Sequence, residues 1–218
     1  MSEFQVTSDI KKHRIVTKDL VLVPYEKHLV PNYHEWMQND ELCAQTDSIK
    51  LSLKEEFDAQ QSWMKDETKL TFIVCDLSVY QSIDENNQQE REIKSMIGDI
   101  NLFFNQTGDD DFEKPFAEVS VMIARIDFRR KGYGFQAVLA MLNYAHKTFL
   151  KLSAIVAIVG ENNVSSLKMF QENLGFKHLK YIRAFKQHKL LLKFDNNEQK
   201  KSFENLIKNI DYRVEKVL

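Results

Sequence analysis

Residues 115–134 read Pro115-Phe116-Ala117-Glu118-Val119-Ser120-Val121-Met122-Ile123-Ala124-Arg125-Ile126-Asp127-Phe128-Arg129-Arg130-Lys131-Gly132-Tyr133-Gly134. Over 116–123 one face is apolar (Ala117, Val119, Val121, Ile123) and the other is mixed, the period-2 pattern of a strand. From Gly132 the period changes to that of a helix reaching about residue 150, with Phe135, Val138, Leu139, Leu142 and Phe149 along one stripe. A helix that opens at two glycines just after three cations presents unpaired backbone N–H groups where negative charge is favoured. Glycine also keeps side chains from holding a phosphate off that backbone. Arg129, Arg130, Lys131, Gly132, Tyr133 and Gly134 are therefore expected to bind a phosphorylated ligand, beside a strand that carries the carboxylate of Glu118.

Two other phosphate motifs compete. No GxxxxGK[ST] occurs, which removes the P-loop. Gly132-Tyr133-Gly134-Phe135-Gln136-Ala137 does satisfy GxGxx[GA], and Glu161 falls near the place of a ribose-binding acid. In that dinucleotide motif the first glycine follows its strand almost directly, whereas here residues 124–131 intervene. Too few strands and helices remain after the apolar run at 154–159 to build a doubly wound sheet.

Outward from this stretch, strands are predicted at 20–23, 70–77, 96–104, 154–159, 177–183 and 189–194. A short helix is expected around 33–37, after Pro31. Another begins at Ser52, where Glu55 completes a capping-box spacing and Leu53, Phe57 and Trp63 share a face. A further helix runs through Leu167, Met169 and Phe170 and closes at Gly175. Residues 80–95 are polar and aperiodic and read as a flexible insertion; 109–111 is read as a loop in the same way. Residues 195–218 carry an apolar stripe (Phe203, Leu206, Ile207, Ile210, Val214, Val217) and predict an amphipathic helix, docked on its own domain or on a partner. The expected organisation is a polar arm over 1–15, one α/β domain over 16–194 with a mixed sheet, and a helical extension over 195–218.

The chain has 218 residues and a net charge of −2, so neither nucleic acid nor an anionic membrane is an expected partner. No apolar run is long enough to span a bilayer. The first residues lack the apolar core of a signal peptide, and the two cysteines, Cys43 and Cys75, have no paired spacing. These features predict a cytoplasmic protein. Cys75, in the apolar run 71–75, reads as core. The six histidines show no ligand spacing, and no metal is expected.

Arg129-x-x-Gly132-x-Gly134 matches the [RQ]xxGx[GA] signature, and on it the chain resembles the GCN5-related N-acetyltransferases (GNAT). The resemblance spans roughly 20–194 and includes Gly98-Asp99-Ile100-Asn101-Leu102, Glu118, Asn163-x-x-Ser166 and Leu174-Gly175-Phe176. Within that superfamily Val23-Pro24-Tyr25, Tyr33-His34-Glu35-Trp36-Met37 and Ala137-Val138-Leu139-Ala140-Met141-Leu142 are similar to the N-acetyltransferase 9 type. The resemblance implies a single-domain fold with a twisted sheet of about seven strands and about four flanking helices, plus the C-terminal helix. It implies acetyl-CoA as cosubstrate and direct transfer to an amine, with the diphosphate on the amides of 130–134. A backbone N–H near Met122 or Ile123 would polarise the acetyl carbonyl. Glu118 is the candidate to accept the amine's proton, its alternative being a solvated or ion-paired strand residue. Asn163 and Ser166 would cap the helix they begin and touch the pantetheine arm, although capping alone would account for Ser166. Phe170 stands where many relatives carry a tyrosine that protonates the departing thiolate. The spacing from Phe170 to Gly175 is one residue longer than is common, and Tyr144 and Tyr181 are the alternative acids.

Peptide N-terminal acetyltransferases of this superfamily hold substrate with the loop between the first two helices and the loop joining the last two strands. That points to Tyr33, Phe185 and Lys186 as substrate residues and to a protein N-terminal α-amine as acceptor. N-acetyltransferase 9 proteins are associated with α- and β-tubulin, which makes tubulin the implied partner. The contrasting reading is a non-catalytic acetyl-CoA-binding module acting on a cytoskeletal partner, for which Phe170 is the argument.

Overall fold

Along the chain, β1 (His13–Val16) and β2 (Leu20–Pro24) lead into α1 (Val30–Trp36), α2 (Asp40–Thr46) and α3 (Leu53–Lys65). Then come β3 (Lys69–Asp76), α4 (Leu77–Gln81), α5 (Gln88–Ser95), β4 (Met96–Asn105), β5 (Phe116–Ile123), α6 (Tyr133–Thr148) and β6 (Ala154–Gly160). The remainder is α7 (Val164–Lys168), β7 (Lys177–Ile182), β8 (Gln187–Lys193), α8 (Asn197–Ile207) and β9 (Arg213–Lys216). The computed structural model describes residues 5–105 and 115–217, so the loop expected at 109–111 lies outside the described residues.

All nine strands form one sheet in the order β7-β8-β6-β5-β4-β3-β2-β1-β9. Among the described pairs only β5 and β6 run parallel. A parallel pair needs a crossover, and α6 supplies it. Residues 137–145 of α6 are buried, packed with Val119 of β5, Leu102 of β4 and Leu22 of β2 in the larger core. The opposite face of the sheet carries a second core, in which Tyr33, Met37, Leu42 and Cys43 cover Val23, Ile73 and Met122. α3 begins at the expected capping box: Glu55 N–H donates to Ser52 Oγ at 3.3 Å and Ser52 N–H to the Glu55 carboxylate at 2.8 Å. Phe57 and Trp63 pack on the second core, but Leu53 is 42% exposed and does not share their face.

Among the described residues the sheet has nine strands rather than about seven because both chain ends add a strand on the same side of it, β1 next to β2 and β9 at the edge. β1 pairs with β2 and β9 pairs with β1, so part of the expected polar arm and part of the expected tail helix are strands. Each is four residues long, too short to display a period in the sequence. The tail is helical only over α8, which docks on its own domain: Phe203 stacks on Phe194 at 4.2 Å, and Asn143 Nδ2 donates to the Ile207 carbonyl at 2.9 Å.

Residues 80–95 are not a flexible insertion. They contain the end of α4 and all of α5, whose cap is Asn87 accepting from Glu90 N–H. The polar composition is explained by buried partners: Glu92 meets His28 Nε2 at 2.6 Å and Arg14 at 3.7 Å, and Arg91 Nε donates to the Tyr80 carbonyl at 2.9 Å. Counting α2, α4 and α5, the described residues form eight α-helices where about four and a tail helix were expected. Short helices lack the residues to show an amphipathic repeat.

Candidate active site

β5 and β6 are paired only from Phe116↔Ala154 to Glu118↔Val156 and then diverge. The divergence opens a cleft of about 550 Å³ between the C-terminal half of β5, the loop into α6 and the start of α7. It brings together Met122, Ile123, Arg129, Arg130, Gly132, Tyr133, Gly134, Asn163 and Ser166 from the residues singled out above. Lys131, Glu118, Phe170, Tyr33, Phe185 and Lys186 do not line it.

The loop is built to present amides. Arg129 Nε donates to the Ile123 carbonyl at 2.9 Å, tying the loop to the end of β5. Arg130 (φ +63°) and Gly132 (φ +81°) both adopt left-handed backbone, and such reversals turn successive N–H groups into an anion-binding concavity. Gly132 is the N-cap of α6 and has no side chain with which to cap the first-turn N–H groups. Lys131 turns instead over the ring of Phe128, its Nζ 4.9 Å from the centroid. Tyr133 is held by a 2.9 Å hydrogen bond from its hydroxyl to Asp76 Oδ2. Arg129, Arg130 and Lys168 give the cleft mouth positive charge.

The opposite wall corrects two expectations. Asn163, not Ser166, caps α7: its Oδ1 accepts from Ser166 N–H at 3.2 Å. Past α7 the chain makes a π-helical turn over Met169–Asn173, with Leu174 N–H donating to the Met169 carbonyl at 3.0 Å. This turn accommodates the extra residue noted between Phe170 and Gly175. Gly175 (φ +75°) then ends the helix while Phe176 N–H reaches the Phe170 carbonyl at 2.9 Å, as in a Schellman cap. In this register Met169 and Asn173 face the cleft. Phe170 is buried and meets Phe176 edge-on at 5.0 Å, so it packs in the core instead of lining the cleft. Phe170→Tyr should therefore restore no acid. It should cost about 1–3 kcal/mol for a hydroxyl buried without a partner, seen as a lower melting temperature with no gain in CoA release. A faster variant would return position 170 to the site.

Glu118 lies four residues before Met122 on β5, so its side chain shares Met122's face of the sheet. Burial raises its carboxyl above the ordinary range, and Lys189 of β8 pulls it back. Neither alternative acid reaches the cleft: Tyr144 is buried with its hydroxyl 2.6 Å from His13 Nδ1, and Tyr181 donates to Glu161 Oε2 at 2.6 Å. Cys75 is buried as core, and burial pushes its thiol up to about 12, far from a thiolate nucleophile at neutral pH.

The expected substrate loops do meet. Gln187 Nε2 at the end of the β7–β8 turn lies 3.5 Å from Asp47 Oδ2 at the end of α2, while Gln45 and Thr46 of α2 line the cleft. Phe185, 66% exposed, and Lys186 project from that turn. Tyr33 is instead on the buried face of α1 and donates to Asp99 Oδ2 at 3.4 Å. Sequence reasoning missed Gln45, Thr46, Phe128, Met169 and Asn173 in the cleft wall. Asp99 also has no role assigned from the sequence, although an acid within the apolar run 96–104 is a signal for one.

The chain matches the Acetyltransferase (GNAT) domain model over residues 19–177. It belongs to the GNAT acetyltransferase family. This GNAT chain is 40% identical over 204 residues to an N-acetyltransferase 9-like protein of Dictyostelium discoideum, covering 91% of this chain and 92% of that protein. It is 39% identical over 187 residues to the mouse (Mus musculus) alpha/beta-tubulin-N-acetyltransferase 9, covering 85% and 73%. Among solved structures, Vibrio cholerae spermidine N-acetyltransferase in complex with CoA and spermine superposes with a TM-score of 0.58 at 16% identity, over 83% of this chain and 93% of that one. At that identity the likeness concerns the fold. Among the described residues no helix is long and apolar enough to cross a membrane, and no group of three or more His, Cys, Asp or Glu could hold a metal ion.

Proposed function

We propose that this acetyltransferase moves acetyl from acetyl-CoA to the α-amine of a protein N-terminus, and that it acts in the cytoplasm. The observation that carries the reading is the shape of the cleft: an amide-lined anion site at one end and the free edge of β5 at Met122–Ile123 along its floor. The amides at 130–134 suit the coenzyme's diphosphate, with a helix-dipole contribution of about 0.3–2 kcal/mol. A backbone N–H at Met122 or Ile123 is the candidate donor to the acetyl carbonyl, a role worth about 2.7–4 kcal/mol for one such donor. Acetyl-CoA supplies the activated thioester. Asn163 and Ser166 are assigned to the pantetheine arm, and Glu118 accepts the proton that leaves nitrogen as its bond to carbon forms, through water. No acid for the thiolate is required, because a thiol of pKa about 8.5 leaves tolerably unprotonated.

Two considerations favour an α-amine. An α-ammonium (pKa about 8) gives up its proton more readily than a lysine ammonium (about 10.4), a difference of about 3 kcal/mol. The β7–β8 turn, with Arg183, Phe185 and Lys186 around its tip, suits an acidic peptide. The name of the mouse relative makes tubulin the acceptor to try first. The test is a peptide library with free and blocked α-amines, assayed for CoA release. Acidic peptides with a free terminus should react; acetylation of blocked, lysine-containing peptides alone would refute the α-amine assignment.

A further inference from the structure

Under α1, on the face of the sheet that carries Met122, four buried side-chain oxygens have no hydrogen-bond partner: Tyr25 OH, Thr71 Oγ1, Asp99 Oδ1 and Asn101 Oδ1. They share one site. Thr71 and Asn101 are cross-strand neighbours, and Asp99 is two residues from Asn101 on the same face. Tyr33 lies 5.0 Å from Tyr25, ring to ring, and bonds to Asp99. Asp99 is 3% exposed and Asn101 4%. Asp99 Oδ2 takes both available donors, the Tyr33 hydroxyl and Asn101 Nδ2 (2.8 Å), which leaves Oδ1 facing the unpartnered group.

A cation with several N–H donors would satisfy these oxygens and the carboxylate together. A second buried carboxylate, Glu56 of α3, acts electrostatically on the same two tyrosines, and no cation neutralises Asp99 among the described residues. The nearby ammonium of Lys11 is committed elsewhere: it donates to the carbonyls of Trp63, Met64 and Asp66 at 2.9, 2.9 and 2.7 Å. The oxygens of Thr71, Asp99 and Asn101, with the rings of Tyr25 and Tyr33 close by, match an R–NH₃⁺ group, since rings attract cations and an ammonium brings three donors. The location fits the chemistry. Asp99 is the ladder partner of Met122, and Met122 both packs in this core and lines the coenzyme cleft. Its unbranched side chain is an adaptable partition between the two.

We propose that Asp99, positioned by Tyr33 and Asn101, binds the acceptor's ammonium group and takes its first proton. This rests on the acetyl-transfer reading above and adds an acceptor subsite to it. R–NH₃⁺ gives one proton to Asp99 Oδ1. The freed lone pair forms the N–C bond as the C–S bond breaks with its electron pair going to sulfur. The second nitrogen proton, the one assigned to Glu118, passes on to sulfur, and Asp99 returns its own to solvent. The balance is R–NH₃⁺ plus acetyl-CoA giving R–NH–acetyl, CoA–SH and H⁺.

Burial raises the Asp99 carboxyl to about 6, against the lowering effect of Asn101 and Tyr33, so it is ionised at neutral pH but basic enough to accept a proton. Tyr25 and Tyr33 act on it directly, Glu56 acts on both tyrosines, and His34 of α1 acts on Glu56. The experiment uses the full chain, acetyl-CoA and a synthetic peptide with a free α-amine followed by acidic residues. Wild type should show a bell in kcat/KM, limited near pH 6 by Asp99 and near pH 8 by the amine. Asp99→Asn should bind acetyl-CoA normally in calorimetry, bind the peptide about tenfold or more weakly, and lose the acid limb. Tyr33→Phe, which removes a donor to the carboxylate, should move that limb to higher pH. Glu118→Gln should lower the rate and keep the limb. Stability gives an independent reading. A folded-state pKa raised above the ordinary 3.8 favours the fold at low pH, and that gain is lost as pH rises through 6. Asp99→Asn should therefore melt higher than wild type at pH 8, and this advantage should shrink as pH falls through 6 and be lost only below the unfolded value of 3.8. An acid limb that survives Asp99→Asn, or that disappears only in Glu118→Gln, overturns the proposal. If Asp99→Asn does not fold, an unmoved limb in Tyr33→Phe overturns it. A wild type that binds acetyl-CoA but acetylates no amine refutes instead the reading on which it rests.

Discussion

Gly98→Ala should lower the melting temperature by about 2–12 °C and reduce acetyl transfer at the same time. A Cβ at position 98 would lie 1.9 Å from the Met122 carbonyl oxygen, 2.9 Å from its carbon and 3.0 Å from Ile123 Cα. All three are backbone atoms of β5, so no side chain can rotate away. β4 and β5 must separate where Ala124 N–H still donates to the Ile97 carbonyl at 2.8 Å. Overpacking of this kind costs about 1–3 kcal/mol, and in a chain of this size each kcal/mol is worth about 2–4 °C. The functional loss follows from place: the displaced peptide is the one assigned to the acetyl carbonyl, and Asp99 is the next residue on β4. Thermal melts and CoA-release assays of Gly98→Ala and Gly98→Val would show it. A variant equal to wild type in both would mean that the two strands can separate there without consequence.

The middle of the chain was legible because periodicity and chemistry agree there. The alternation at 116–123, the glycines at 132 and 134 and the apolar stripe of α6 each impose a single local conformation. Together they locate the crossover that makes β5 and β6 parallel. The chain ends were not legible, since β1 and β9 are four-residue strands and β9, at the sheet's edge, pairs with a strand about 200 residues away. Residues 80–95 misled for a different reason. Glu92, Gln88 and Arg91 look solvated in the sequence, but Glu92 is 4% exposed and meets His28 and Arg14. Polar composition does not show whether a charge has a partner. At Phe170 the anomalous spacing was visible, but its effect was not. Only the π turn shows that Met169 and Asn173, and not Phe170, face the cleft. Asp99 was hidden by the same limit: a strand acid reads as a landmark until the unpartnered oxygens around it are seen.

At the other end of the cleft, Gly134→Trp should weaken acetyl-CoA binding about a hundredfold or more, at least about 2.7 kcal/mol, without unfolding the protein. A Cβ at Gly134 would make ordinary contacts, 3.7 Å to Met169 Sδ and 3.8 Å to Ile123 Cγ1. Alanine should thus be tolerated, and the motif's allowance for either residue has a physical basis. An indole has no such room. It must extend across the gap between α6 and the Met169 wall, over the Met122–Ile123 edge that the thioester is assigned to. Gly132→Pro acts by another route. Proline fixes φ near −65° where this residue needs +81°, so the loop must rearrange and the amides at the start of α6 lose their common direction. Calorimetry paired with melting curves separates the two mechanisms. Gly134→Trp should lose affinity with its melting temperature nearly unchanged, whereas Gly132→Pro should lose both. If Gly134→Trp binds acetyl-CoA as tightly as wild type, the coenzyme does not enter between β5 and α7, and the roles given to Met122, Asn163 and Asp99 lose their common basis.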